Sequence, residues 1–210
     1  MLLSFEVVVR LINAFFTVGI GLALAFIYAR KSARFLSLSF WSIAFMAYGI
    51  QIFIRIWYSW NSLEVFLLSI VMTFLLVMGA SNLIGRNKIY VAVLLAFTAV
   101  EILLFPSLNW YKYGAYVLFG LMTIAAVHLR FVIGKLANRF IVGWLSLLIV
   151  NVVFVATLSI EWVADLAAIP AKALLALGMF DQRFARMVLD IREIYKAYQK
   201  DASKTAQGVV

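Results

Sequence analysis

Cysteine is absent from this 210-residue chain, histidine occurs once, proline twice, and charged residues make up only 13%. The first absence excludes disulfide staples, thiolate metal sites and thiol nucleophiles together. A single histidine, His128, leaves little with which to build a metal centre or a Ser-His-acid set. The scarcity of charge is set against 66% hydrophobic residues and a mean hydropathy of +1.06. That balance lies outside the soluble range and marks an integral membrane protein. Little polar sequence separates the apolar runs, so one membrane-embedded unit is expected, with no catalytic or regulatory module appended. The N-terminus, MLLSFEVVVR, lacks the basic stretch and small-residue cleavage site of a secretory signal, and the first apolar run is read as a retained span.

A helix crosses the hydrocarbon core with about 20 mostly apolar residues. Seven such runs occur: Phe5 to Tyr28, Phe35 to Trp57, Val65 to Ile84, Ile89 to Phe105, Tyr113 to Leu129, Phe140 to Ile160, and Trp162 to Phe180. Alternate connections, ARKSAR, GRNK and HLRFVIGKLANR, are rich in Lys and Arg, as is the tail after Phe180. The net charge of +9 therefore follows the loops, which argues against a nucleic-acid partner. By the positive-inside rule those segments are cytoplasmic, which puts the N-terminus outside and the C-terminus inside and requires an odd number of spans. The expected fold is all-α, a seven-transmembrane-helix bundle over 1–180. A competing count merges the last two runs across SIEWVADL and leaves six spans.

Trp57, Tyr58, Trp60, Trp110, Tyr111, Tyr113 and Trp162 fall at the expected outer ends, where amphipathic rings favour the headgroup zone. In the tail, Phe184, Met187, Val188, Ile191, Ile194, Tyr195 and Tyr198 keep the spacing of one helical face. Residues 181–200 are thus expected to form a cytoplasmic amphipathic helix on the anionic inner leaflet or against a membrane or cytoplasmic protein partner. Residues 201–210 read as a flexible tail.

Ionisable groups at membrane depth are costly and usually face a bundle interior or a wet cavity. Arg10, Arg55, Glu64, Glu101, Glu161, Asp165 and Lys172 lie in or directly beside five of the runs, and nearly all fall in the expected outer half. Glu64, Glu161, Arg55 and Arg10 also lie close enough to the interface for water or snorkelling to relieve them. Glu101 and Lys172 do not. Asp165 and Lys172 are seven residues apart, so they share a helix face about two turns apart, and Glu101 is the other candidate partner for the lysine. Pro170 frees the carbonyl of Leu166 and can kink the last helix. Asn13, Gln51, Thr73, Asn151 and Thr157 read as polar groups making packing hydrogen bonds between helices.

The phrase IPAKALLALG resembles the surroundings of the Schiff-base lysine in the retinal-binding opsins, with Lys172 as the matching residue. That resemblance implies retinal on Lys172 as an alternative to the expectation of no cofactor. Microbial opsins carry an Asp one turn before the lysine, where this chain has Ala168, and the third run lacks their arginine and carboxylate pattern apart from Glu64. The sugar-transporting seven-helix family is similar in length and topology, but its paired helix-breaking prolines are missing here. The favoured reading is a non-enzymatic cell-membrane protein that binds a small ligand or ion in an outward-facing polar cavity, as a sensor would. Lys172, Asp165, Glu101, Arg10, Arg55 and Glu64 are its candidate residues. A small-solute or proton-coupled transporter and an accessory subunit of a membrane complex are the alternatives.

Overall fold

The computed structural model describes residues 4–29, 36–58, 62–84, 110–158, 160–181 and 184, with a few further helical positions between 92 and 103. Six α-helices make up the described part: α1 (Phe5–Ala29), α2 (Leu36–Ile54), α3 (Leu63–Ile84), α4 (Trp110–Ile133), α5 (Asn138–Val150) and α6 (Glu161–Met179). A 3-10 turn, Gly134–Ala137, joins α4 to α5, and α5 runs on as a π-helix over Asn151–Thr157. Among the described residues, four candidate spans are long and apolar enough to cross a membrane: Phe5–Ile27, Leu63–Asn82, Gly134–Val155 and Glu161–Met179. Leu38–Ile54 and Tyr116–Phe131 are shorter apolar helices. These candidate spans point to a multi-pass membrane protein in contact with a lipid bilayer.

The expected runs and the helices correspond closely where both are described. Of the fourth run, Ile89 to Phe105, only a few helical positions are described and Glu101 is not among them, and the tail from 185 onward lies outside the described residues. The last two runs are separate helices: the chain leaves the π-helix at Leu158, and Ile160 (φ −107°, ψ 78°) breaks the helical path before α6 begins. Leu158 N–H donates to Val153 O (3.0 Å) and Ile160 N–H to Phe154 O (2.7 Å), so the connection is closed by the wide turn itself.

Polarity is distributed inside out. On α1, Ile12, Phe15, Leu22 and Phe26 are exposed at helical spacing, while Asn13, Thr17, Ile20 and Leu24 are buried on the opposite face. An apolar outer face and a partly polar inner one suit a helix whose surroundings are lipid rather than water. Hydrogen bonds across helices satisfy the polar groups inside. Ser42 Oγ donates to Gly21 O (2.7 Å), Trp41 Nε1 to Leu76 O (3.0 Å) and Gln51 Nε2 to Val65 O (3.2 Å), tying α1, α2 and α3 in series.

Two glycines let α1 and α2 approach closely. A Cβ on Gly21 would lie 2.7 Å from Ser42 O, and one on Gly49 would lie 2.8 Å from Ala14 O and meet the Val18 side chain as well. Backbone oxygens that close leave no space for a methyl group, so small residues set the spacing of this pair. At one end of the bundle the start of α1, the end of α2 and the start of α6 come together. There Phe5 and Trp162 meet edge to face, with ring centroids 5.5 Å apart, and Trp57 and Tyr58 are exposed. At the opposite end Arg139 Nη1 pairs with Asp181 (3.1 Å) and donates to Leu177 O, while Phe140 packs on Trp41 and on fully buried Phe184. Of the expected tail helix over 181–200, only Asp181 and Phe184 fall among the described residues.

Candidate functional site

Three segments converge on a charge centre in the half of the bundle nearer Phe5. α1 presents Arg10, Asn13 and Thr17, spaced so that all three lie along one stripe. α6 presents Glu161, Asp165 and Lys172 in the same manner, each about one to two turns beyond the last. Tyr48 comes from α2. Arg55 follows directly after that helix, where its N–H still bonds Gln51 O at 3.0 Å in the helical pattern. Arg55, Asp165, Asn13, Thr17 and Lys172 are all buried, and Lys172 is 0% exposed.

Lys172 Nζ donates to Asn13 Oδ1 (2.7 Å) and Thr17 Oγ1 (2.9 Å) and sits 4.1 Å from the centre of the Tyr48 ring. A cation over an aromatic face gains electrostatic attraction that grows when water is excluded. Asp165 Oδ1 accepts from Asn13 Nδ2 at 2.9 Å. The asparagine amide thus stands between lysine and carboxylate, its oxygen toward the one and its nitrogen toward the other. The expected meeting of Asp165 and Lys172 on one face of the last helix is made through this side chain of α1. Thr17 completes the arrangement by donating to Asn13 O (2.6 Å) while its oxygen accepts from the lysine.

Toward the helix ends lie two arginines and two carboxylates. Glu161 Oε2 accepts from Arg10 Nη2 at 3.3 Å and lies 3.5 Å from Arg55 Nη2. Asp165 Oδ2 lies 3.7 Å from both Arg10 Nε and Arg55 Nη2. Arg10 Nη1 also donates to the backbone carbonyl of Arg55 at 3.4 Å, which ties the Arg10 side chain to the end of α2. Contacts of 3.5–3.7 Å are attractive but longer than charge-assisted hydrogen bonds. Arg10 Nε and Asp165 Oδ2 are accordingly buried without a hydrogen bond. Exposure is graded along the cluster: the side chain of Glu161 is 25% exposed and that of Arg10 20%, whereas Asp165 is 8% exposed.

No family model, curated protein or solved structure matches the chain. The centre is therefore interpreted on its own chemistry. Among the described residues it brings together three basic side chains (Arg10, Arg55, Lys172) and two carboxylates (Glu161, Asp165). Among the described residues no group of three or more His, Asp or Glu side chains has the geometry to hold a metal ion.

Of the residues singled out in the sequence, Lys172, Asp165, Arg10 and Arg55 are brought together. Glu64 is exposed in the first turn of α3 and forms no ion pair with the described members of the cluster. Glu161, whose position near a helix end allowed a purely interfacial reading, is shared by both arginines, as Asp165 is. Asn13 has a more specific place than a packing hydrogen bond, and Thr17 and Tyr48 carried no signal beyond their type. The repeated spacing of Arg10, Asn13 and Thr17 on an otherwise apolar helix was the available clue. Nearer the opposite end, Trp41, Met122, Phe140 and Trp144 help line an apolar crevice with about 10 Å³ of free volume, roughly what one water occupies.

Proposed function

We propose that this chain is a non-enzymatic, seven-span protein of the cell membrane that binds a small ligand or ion at the charge centre and works as a sensor. In this reading the N-terminus is outside, the C-terminus is cytoplasmic, and the Arg10–Glu161 end of the bundle faces outward. The observation that carries the proposal is the convergence of five ionisable side chains from α1, α6 and the end of α2 inside an otherwise apolar bundle. Ionisable groups at such depth mark functional sites by default, because each one raises the cost of folding. Their graded exposure gives a ligand a point of entry at Glu161 and Arg10. A small helix shift at α6 would then reach the cytoplasmic side, where residues 181–200 form the proposed amphipathic contact with the membrane or a partner.

The test is a broad screen of small solutes by ligand-induced thermal stabilisation of the purified protein. Stabilisation by a hit should be lost in Lys172→Met, which keeps the side chain's length and removes its charge. A hit that stabilises both proteins equally would refute the site assignment.

A second reading, a small-solute or proton-coupled transporter, draws on the same geometry. Each carboxylate is within 4 Å of two arginines, so exchange of partners during alternating access needs only short movements. Proteoliposomes separate the two readings: a carrier gives solute or proton flux, and a sensor gives none.

A further inference from the structure

We infer that the ligand of the charge centre is a singly charged oxyanion, a carboxylate or phosphodiester group, which displaces Glu161 from between Arg10 and Arg55. The inference rests on the ligand-binding reading above and names the chemistry of that site.

Four observations lead to it. The position between the two arginines already holds a carboxylate oxygen, Glu161 Oε2, at 3.3 and 3.5 Å, so it suits another oxyanion and repels a cation. The two arginines that share Glu161 come from different segments, and Arg10 Nη1 also donates to the backbone carbonyl of Arg55, so the Arg10 guanidinium keeps an anchor beside Arg55 when the carboxylate leaves. Guanidinium groups are suited to oxyanions because their planar donors match two oxygens at once.

Glu161 is also the member of the cluster best placed to leave. It is the most exposed of the two carboxylates. It belongs to the first turn of α6, and its contacts of 3.3 and 3.5 Å to the arginines lie at the long end of hydrogen bonding. Asp165 stays in place through its 2.9 Å bond from Asn13. Buried Arg10 Nε, which makes no hydrogen bond and lies 3.7 Å from Asp165, offers a further donor to an incoming oxygen.

The start of α6 adds a fourth contribution. Ile160 precedes the helix without a side-chain cap, so the first N–H groups and the positive end of the helix dipole face the same region as the arginines. An anion there meets backbone donors and guanidinium groups together. Glu161 therefore acts as a built-in competitor that occupies the oxyanion position when no ligand is bound.

A free carboxylate and a lipid phosphodiester share this chemistry, and the experiment separates them. The full chain is titrated with sodium acetate in detergent, at constant ionic strength, and thermal stability is followed by tryptophan fluorescence. The same measurement is then made in nanodiscs of phosphatidylcholine with and without phosphatidylglycerol. Glu161→Gln removes the competitor and should tighten the response about tenfold if Glu161 holds the position nine-tenths of the time. Isothermal titration of both proteins keeps the comparison valid if the variant's own stability falls. A saturable acetate response, sharpened in Glu161→Gln, supports a free carboxylate. A response to phosphatidylglycerol alone, sharpened in the same way, supports a lipid headgroup. The absence of any anion response in wild type and variant overturns the inference. A cation or uncharged solute that stabilises the wild type but not Lys172→Met also overturns it, while leaving the broader ligand-binding reading intact.

Discussion

Asp165→Asn isolates the electrostatic term of the charge centre with the least change in shape. Asparagine fills the same space and its oxygen still accepts from Asn13, so the 2.9 Å bond can remain. What is lost is one negative charge 3.7 Å from two guanidinium groups. At that distance and an effective dielectric constant of about 20, Coulomb's law gives about 4–5 kcal/mol for each pair. Desolvation already borne by the carboxylate offsets part of this, and measured costs of removing one partner of a buried pair run to about 3–5 kcal/mol. We expect a loss in that range, seen as a drop on the order of 10 °C in the unfolding midpoint of the detergent-solubilised protein.

The size of the effect alone would not identify its origin. A double-mutant cycle with Arg10→Gln does. The two single variants shift the net charge of the centre by one unit in opposite directions, while the double variant restores the original balance, so the pair should couple by about 1–3 kcal/mol. Two results would refute the reasoning: a cost for Asp165→Asn below about 1 kcal/mol, the ordinary value of one neutral hydrogen bond, or single effects that add within about 0.5 kcal/mol.

Gly49→Ala places a methyl group against Ala14 O and the Val18 side chain. It should cost about 1–3 kcal/mol by prising α1 from α2, read as a lower unfolding midpoint. Because α1 carries Asn13 and Thr17, the same variant should weaken ligand-induced stabilisation. Phe184→Ala empties a fully buried position against Phe140, whose ring centroid is 4.9 Å away. A loss of about 3–5 kcal/mol is expected, along with faster proteolysis after residue 184, whereas ligand affinity at the distant charge centre should be unchanged.

The apolar runs made the helical, membrane-embedded character of the chain legible, because length and hydropathy are local properties. The break at Ile160 was legible for the same reason, since Glu161 interrupts the apolar sequence there. Within one helix, periodicity placed Asp165 and Lys172 on a common face. Partnerships between helices were harder to read. Asn13 and Lys172 are 159 residues apart in sequence, and no local pattern says that α1 lies against α6. The sharing of Glu161 by Arg10 and Arg55 depends on the same packing and on where α2 ends. Tyr48, in an apolar helix, looks like any core aromatic until a cation is found over its ring. The π-helix had no sequence signature either: NVVFVAT is as compatible with an α-helix, and its wider turn is set by the hydrogen bonds that close the connection to α6.

The Asn13 amide carries a consequence for how this site can vary. An amide is uncharged, donates from one end and accepts from the other, and turning it over exchanges those ends. Interchanging the acid and the lysine along α6 would therefore be acceptable to Asn13, which would need only to rotate. The two arginines would not accept it, because the lysine would then lie beside them. The order acid-then-base along α6 is thus written by Arg10 and Arg55, and Asn13 is an adaptor that transmits it. In related chains, a reversed order on this helix should be accompanied by carboxylates at the two arginine positions, with the asparagine unchanged.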